Sequence, residues 1–119
     1  MPIPLLITFR DMAHSTALET RIQEKVAKLE TVCADLANCE VTIEIPHRHK
    51  HQGHGFNVRI DAKLPGKEVV AEASHDDDVY VAVRDAFGAA RRQLEEIMRI
   101  RRGQVKKHET SRQITKDEP

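Results

Sequence analysis

Residues 74–103 read SHDDDVYVAVRDAFGAARRQLEEIMRIRRG, and the rest of the chain is best understood outward from them. Asp76, Asp77 and Asp78 open the stretch. Their carboxylates suit the free N–H groups and the positive dipole end of a helix start, with Asp76 and Asp77 the expected acceptors. Val79, Val83, Ala86, Phe87, Ala90, Leu94, Ile97 and Met98 then recur at steps of three and four. At roughly 100° per residue they form one buried stripe. Arg84, Arg91, Arg92, Arg99 and Arg102 fall on the opposite arc, interrupted by Asp85, Glu95 and Glu96. Arg101 stands where the stripe calls for another apolar residue, so the packed part of the helix is expected to end near Ile100. The arginine arc has two readings from pattern alone, a solvated face or a surface for phosphates.

Upstream, Ile3 to Phe9 reads as a strand restricted at its start by Pro2 and Pro4. Ser15 or Thr16 caps a first helix, with Thr16 and Glu19 forming a T-x-x-E capping box. Leu18, Ile22, Val26, Leu29 and Cys33 make its buried stripe, while Arg21, Glu24, Lys25, Lys28 and Glu30 face out. Val41, Ile43 and Ile45 alternate with Thr42 and Glu44, and Phe56, Val58, Ile60 and Ala62 alternate with polar residues, predicting two half-buried strands. Pro65-Gly66 is a turn signal, and Glu68 to Ser74 pairs back as a further strand. The order strand, helix, three strands, helix implies an α+β fold. Both helices of this two-layer β-α-β-β-β-α sandwich cover one face of a four-stranded sheet. Residues 1–102 are expected to form the domain and residues 103–119 a flexible C-terminal tail.

At 119 residues, with 39% hydrophobic and 32% charged residues, the composition is that of one globular domain. No apolar run reaches the roughly 20 residues of a membrane span, and MPIPLLITFRD lacks the features of a signal peptide. The expected location is the cytoplasm. Cys33 and Cys39 match neither a redox pair nor a zinc set and read as small buried hydrophobes in reduced form. With only 3% aromatic residues a base-stacking platform is hard to build, so recognition of RNA would rest on charge and shape. The formal net charge is zero, but its distribution is not even. Residues 84–108 carry eight Lys or Arg against three acids, and residues 68–78 carry five acids and no Lys or Arg. Such a molecule can bind a polyanion with one side.

Residues 46–55 read PHRHKHQGHG. Alternate histidines in an extended segment share a side, so His47, His49 and His51, with His54 nearby, are candidate ligands for Zn, Ni or Cu. The other readings are a solvated loop and a loop that touches RNA through Arg48 and Lys50. His14 and His75, near the helix starts, read as packing or capping residues. No nucleophile with a base, no suitably spaced carboxylate pair and no Gly-rich phosphate loop is evident, so neither an enzyme nor a cofactor or small-molecule substrate is expected.

The six-element order, the His75-Asp-Asp-Asp-Val-Tyr80 start of the second helix, Arg92-Gln93-Leu94 on it, and Ala27-Lys28-Leu29-Glu30 on the first helix resemble the ribosome hibernation promoting factor and ribosome-associated inhibitor family. The resemblance spans about Ile3 to Arg102. It implies a non-enzymatic short form that binds the small ribosomal subunit between head and body and blocks decoding under stress or in stationary phase. Family members use basic side chains of both helices against ribosomal RNA, and the matching positions here are Lys25, Lys28, Arg84, Arg91 and Arg92. Gly88 and Ala89 stand where relatives often carry polar or basic residues. The partner implied is the small subunit and its ribosomal RNA, with no membrane and a monomeric protein. Two other readings are a module of the double-stranded-RNA-binding type, which has the helix-first order, and a metal-binding protein built on the histidine loop.

Overall fold

A computed structural model describes residues 3–46 and 55–114, and side chains as far as Gly103. The elements run β1 (Leu5–Arg10), α1 (Thr16–Val32), β2 (Asn38–Glu44), β3 (Phe56–Leu64), β4 (Lys67–His75) and α2 (Val79–Ile114). The sheet order is β1-β2-β3-β4. β1 and β2 are parallel, as a strand-helix-strand crossover requires, and the other two pairs are antiparallel. This is the α+β fold expected from the order of the periodic segments. No described helix is both long and apolar enough to cross a membrane.

Period-two alternation divides the sheet into an inner and an outer face. Cys39, Val41 and Ile43 of β2 and Val58, Ile60, Ala62 and Leu64 of β3 are buried under the helices. Leu18, Ile22, Val26 and Leu29 of α1 and Val83, Ala86, Phe87, Ala90 and Leu94 of α2 close the same core. Each buried aliphatic side chain contributes about 1.5–3 kcal/mol by leaving water. β3 turns into β4 through Pro65 and Gly66, and Gly66 takes φ 77°, a left-handed backbone that a Cβ would strain. Cys33 and Cys39 are both buried and unbonded, in keeping with their reading as small hydrophobes.

The helix starts differ from the sequence reading in detail. Ser15 is the N-cap of α1, its Oγ accepting from Leu18 N at 3.1 Å. Thr16 is therefore already helical, and Glu19 lies beyond the box position and meets His14 Nε2 at 3.3 Å instead. At α2 the acceptor is Asp78, not Asp76 or Asp77. Its Oδ1 takes Tyr80 N at 2.9 Å and Val81 N at 3.4 Å, because the helix begins one residue after it. The N–H groups of Asp77 and Asp78 point to His75 Nδ1, at 3.2 and 3.0 Å, which gives His75 the capping role.

The far end of α2 also differs. Arg101 does not end the packing: it donates to Pro65 O at 2.7 Å and lies 3.7 Å from Asp35 Oδ2, tying the helix to the β3–β4 turn. The backbone stays helical through Gly103 to Ile114, where the sequence reading set the start of a tail. The histidine loop, with His47, Arg48, His49, Lys50, His51 and His54, lies outside the described residues.

Candidate nucleic-acid interface

α1 and α2 lie side by side on the sheet, and their polar arcs meet along the furrow between them. Lys25, Lys28 and Leu29 of α1 face Arg84, Phe87, Gly88 and Arg91 of α2 across a groove of about 240 Å³. The spacing accounts for the meeting. Lys25 and Lys28 are three residues apart, Arg84 and Arg91 seven, so each pair lies along one side of its helix. Leu29 and Phe87, both buried, form the floor. Four cations therefore line a furrow with an apolar base.

Their partners leave the furrow positive. Lys25 and Lys28 have no carboxylate within ion-pair reach among the described residues. Arg84 pairs with its neighbour Asp85 at 3.0 Å, and Arg91 with Glu95 at 3.7 Å. Both pairs are well exposed, and contacts of that kind contribute only about 0–1 kcal/mol, so a phosphate can displace them. A guanidinium offers a phosphate two parallel N–H bonds and a lysine a point charge, and the groove holds two of each.

Arg92 stands on the rim. A Cβ placed on Gly88 would sit 3.6 Å from its guanidinium, so Arg92 lies along the helix beside Gly88, which lines the groove. Arg99 and Arg102 lie farther along α2 and do not line the groove. Arg99 is occupied, its Nε and NH2 groups reaching Glu96 at 3.2 and 2.5 Å. That contact holds the Glu96 carboxyl below the usual carboxylate range.

Of the seven helix cations singled out by sequence, the fold thus brings Lys25, Lys28, Arg84 and Arg91 together, sets Arg92 beside them, and leaves Arg99 and Arg102 outside. Sequence reasoning missed Arg21, which lies over the Tyr80 ring at 5.3 Å and joins the starts of the two helices. Tyr80 is the only tyrosine, and its place at the edge of the apolar stripe was the available signal. Among the described residues no cluster of His, Cys, Asp or Glu is arranged to hold a metal ion.

Residues 5–102 match the model of a family described as Sigma 54 modulation protein / S30EA ribosomal protein. No curated protein matches the chain. Among solved structures, a ribosomal subunit interface protein from Coxiella burnetii is similar with a TM-score of 0.70 and 21% identity, over 81% of this chain and 98% of that one. The N-terminal domain of Thermus thermophilus Protein Y is similar with a TM-score of 0.66 and 20% identity, over 82% and 99%. At such identities these two structures bear on the fold alone.

Proposed function

The chain belongs to the Sigma 54 modulation protein / S30EA ribosomal protein family, and from that premise we propose that it is a ribosome-associated translation inhibitor acting through the groove between its helices. The partner is the small subunit, held through phosphates of its ribosomal RNA, and the outcome is exclusion of messenger and transfer RNA from the decoding region under stress or in stationary phase. The observation that carries this reading is the convergence of Lys25, Lys28, Arg84 and Arg91 from two helices on one furrow, with Arg92 on its rim. Each phosphate neutralised releases condensed counterions, so affinity falls steeply as salt rises. Inhibition by occupancy needs no chemical step.

The test is sedimentation with purified small subunits across a salt series, comparing the wild type with a triple variant carrying Arg84→Glu, Arg91→Glu and Arg92→Glu. The expected result is co-sedimentation of the wild type that weakens with salt, and its loss in the variant. Equal binding by both proteins, or by neither, rejects the groove as the binding surface.

A further inference from the structure

The furrow between the helices has an end that its four cations do not occupy. Arg21 stands one turn before Lys25 on α1, and Tyr80 one turn before Arg84 on α2, so both continue the lines of side chains that make the furrow. There the guanidinium carbon of Arg21 lies over the Tyr80 ring, 5.3 Å from its centroid. Neither residue lines the furrow itself. The chemistry therefore changes at this end, where two flat groups in contact replace two separate charges.

Both groups are open to solvent. The Arg21 side chain is 50% exposed, and its ion pair with Glu24 is a loose one at 3.7 Å. Tyr80 is 37% exposed. The three phenylalanines are spent on the core, Phe87 buried and Phe9 and Phe56 packed against it, and the chain has no tryptophan. The exposed aromatic among the described residues thus sits at the mouth of the cationic furrow. Low aromatic content argues against a platform for a run of bases, but one ring with a guanidinium on it is enough for one base.

Charge decides what fits there. Asp76, Asp77 and Asp78 come just before Tyr80, and their carboxylates repel a phosphate at this end. Toward Arg84 and Lys25 the sign reverses. A strand lying along the furrow therefore keeps its phosphates on the cations and presents an uncharged part to Arg21 and Tyr80. In a nucleic acid the flat, uncharged part is the base, and both aromatic rings and guanidinium planes stack bases. A paired base is enclosed in its own stack, so the group that fits is the base of an unpaired nucleotide.

On the premise that the furrow holds RNA phosphates, we propose that Arg21 and Tyr80 form a stacking site for one unpaired nucleobase of the bound strand. Lys25 and Arg84, one turn farther along their helices, hold the neighbouring phosphate. Stacking adds affinity that does not come from counterion release, and it favours single-stranded or bulged RNA over a duplex.

Because Tyr80 is the only tyrosine, tyrosine-labelled protein gives the NMR signals of a single ring. Titration with single-stranded oligoadenylate is expected to shift them through the ring current of a stacked base. An abasic oligomer with as many phosphates is expected to shift them far less. Equal shifts with both oligomers, or none with either, overturn the proposal. Sedimentation with small subunits across a salt series gives the second reading. Tyr80→Leu keeps an apolar side chain but removes the flat one, and is expected to bind about tenfold more weakly at every salt concentration, with the salt slope unchanged. Tyr80→Phe, which keeps the ring, is expected to bind as the wild type does, and thermal unfolding checks that both variants are folded. If Arg84→Glu loses binding while Tyr80→Leu keeps it, the furrow stands and the stacking site falls. A salt slope that drops in Tyr80→Leu also overturns the site, since the ring then acts only by holding a cation. Absence of binding by the wild type rejects the furrow and the stacking site together.

Discussion

Asp78 shows how one position among three alike is singled out. Its Oδ1 serves two N–H groups of the first turn of α2, while the amides of Asp77 and Asp78 are taken by His75. Asp78→Ala is therefore expected to lower stability by about 1 kcal/mol. The same change at Asp76 or Asp77 should stay within about 0.5 kcal/mol. Urea unfolding of the three variants measures the difference. Cys39 gives a second prediction at this scale. Burial pushes its thiol up from 9.0 to about 12, with Asp61 and Glu40 adding to the effect. Between those values the folded chain keeps a proton that the unfolded chain has released. Stability from this group is complete below pH 9.0 and declines as pH rises toward 12. The slope reaches up to about 1.4 kcal/mol per pH unit. Cys39→Ala should flatten the fall of Tm in alkali relative to the wild type, and an unchanged slope would refute this account.

At the scale of elements, α2 carries conflicting demands. Gly88 costs the helix about 0.5–1 kcal/mol relative to alanine. An added Cβ would meet only Arg92 NH1, at an ordinary 3.6 Å, so Gly88→Ala is expected to raise stability by about that amount in thermal or chemical unfolding. The arginines of the same helix are not equivalent. Arg99 is held by Glu96, whereas Arg92 has no carboxylate partner among the described residues. Arg92→Ala is expected to weaken small-subunit binding and to reduce the slope of log affinity against log salt by about 1. Arg99→Ala should move both quantities less. A titration series at four or five salt concentrations separates the two, and a larger loss at Arg99 would shift the interface toward the far end of α2.

For the whole molecule the decisive property is polarity. The groove between the helices gathers cations, while the outer face of the sheet carries Glu40, Glu44, Asp61, Glu68 and Glu72 against Arg10, Arg59 and Lys63. Arg59 is further committed to Glu72 at 2.7 Å. The helical side is therefore the one that would attract a polyanion, and a net formal charge of zero is compatible with that. If the fold reads the shaped surface of the small subunit, its affinity for naked duplex RNA should be lower at equal salt. Stronger binding to the duplex would favour a general module for double-stranded RNA. Filter binding and sedimentation under matched conditions decide between them.

The periodic segments by themselves determined the six elements, the inner face of the sheet and both helix stripes. Apolar spacing is a local property, and burial follows it wherever one face must leave water. They also put Arg21, Lys25, Lys28, Arg84, Arg91, Arg92, Arg99 and Arg102 on the outward arcs, from which the family resemblance singled out Lys25, Lys28, Arg84, Arg91 and Arg92. What only the tertiary structure decided was which of them act together, because that depends on the angle and separation at which α1 and α2 pack across the sheet. Arg101 is the sharpest case. In sequence it interrupts an apolar stripe, yet a carbonyl at Pro65 and a carboxylate at Asp35, both distant along the chain, hold it against the body. The hydrogen bond from Gln93 to Val70 O, 23 residues away, has the same origin, and no local pattern encodes that contact.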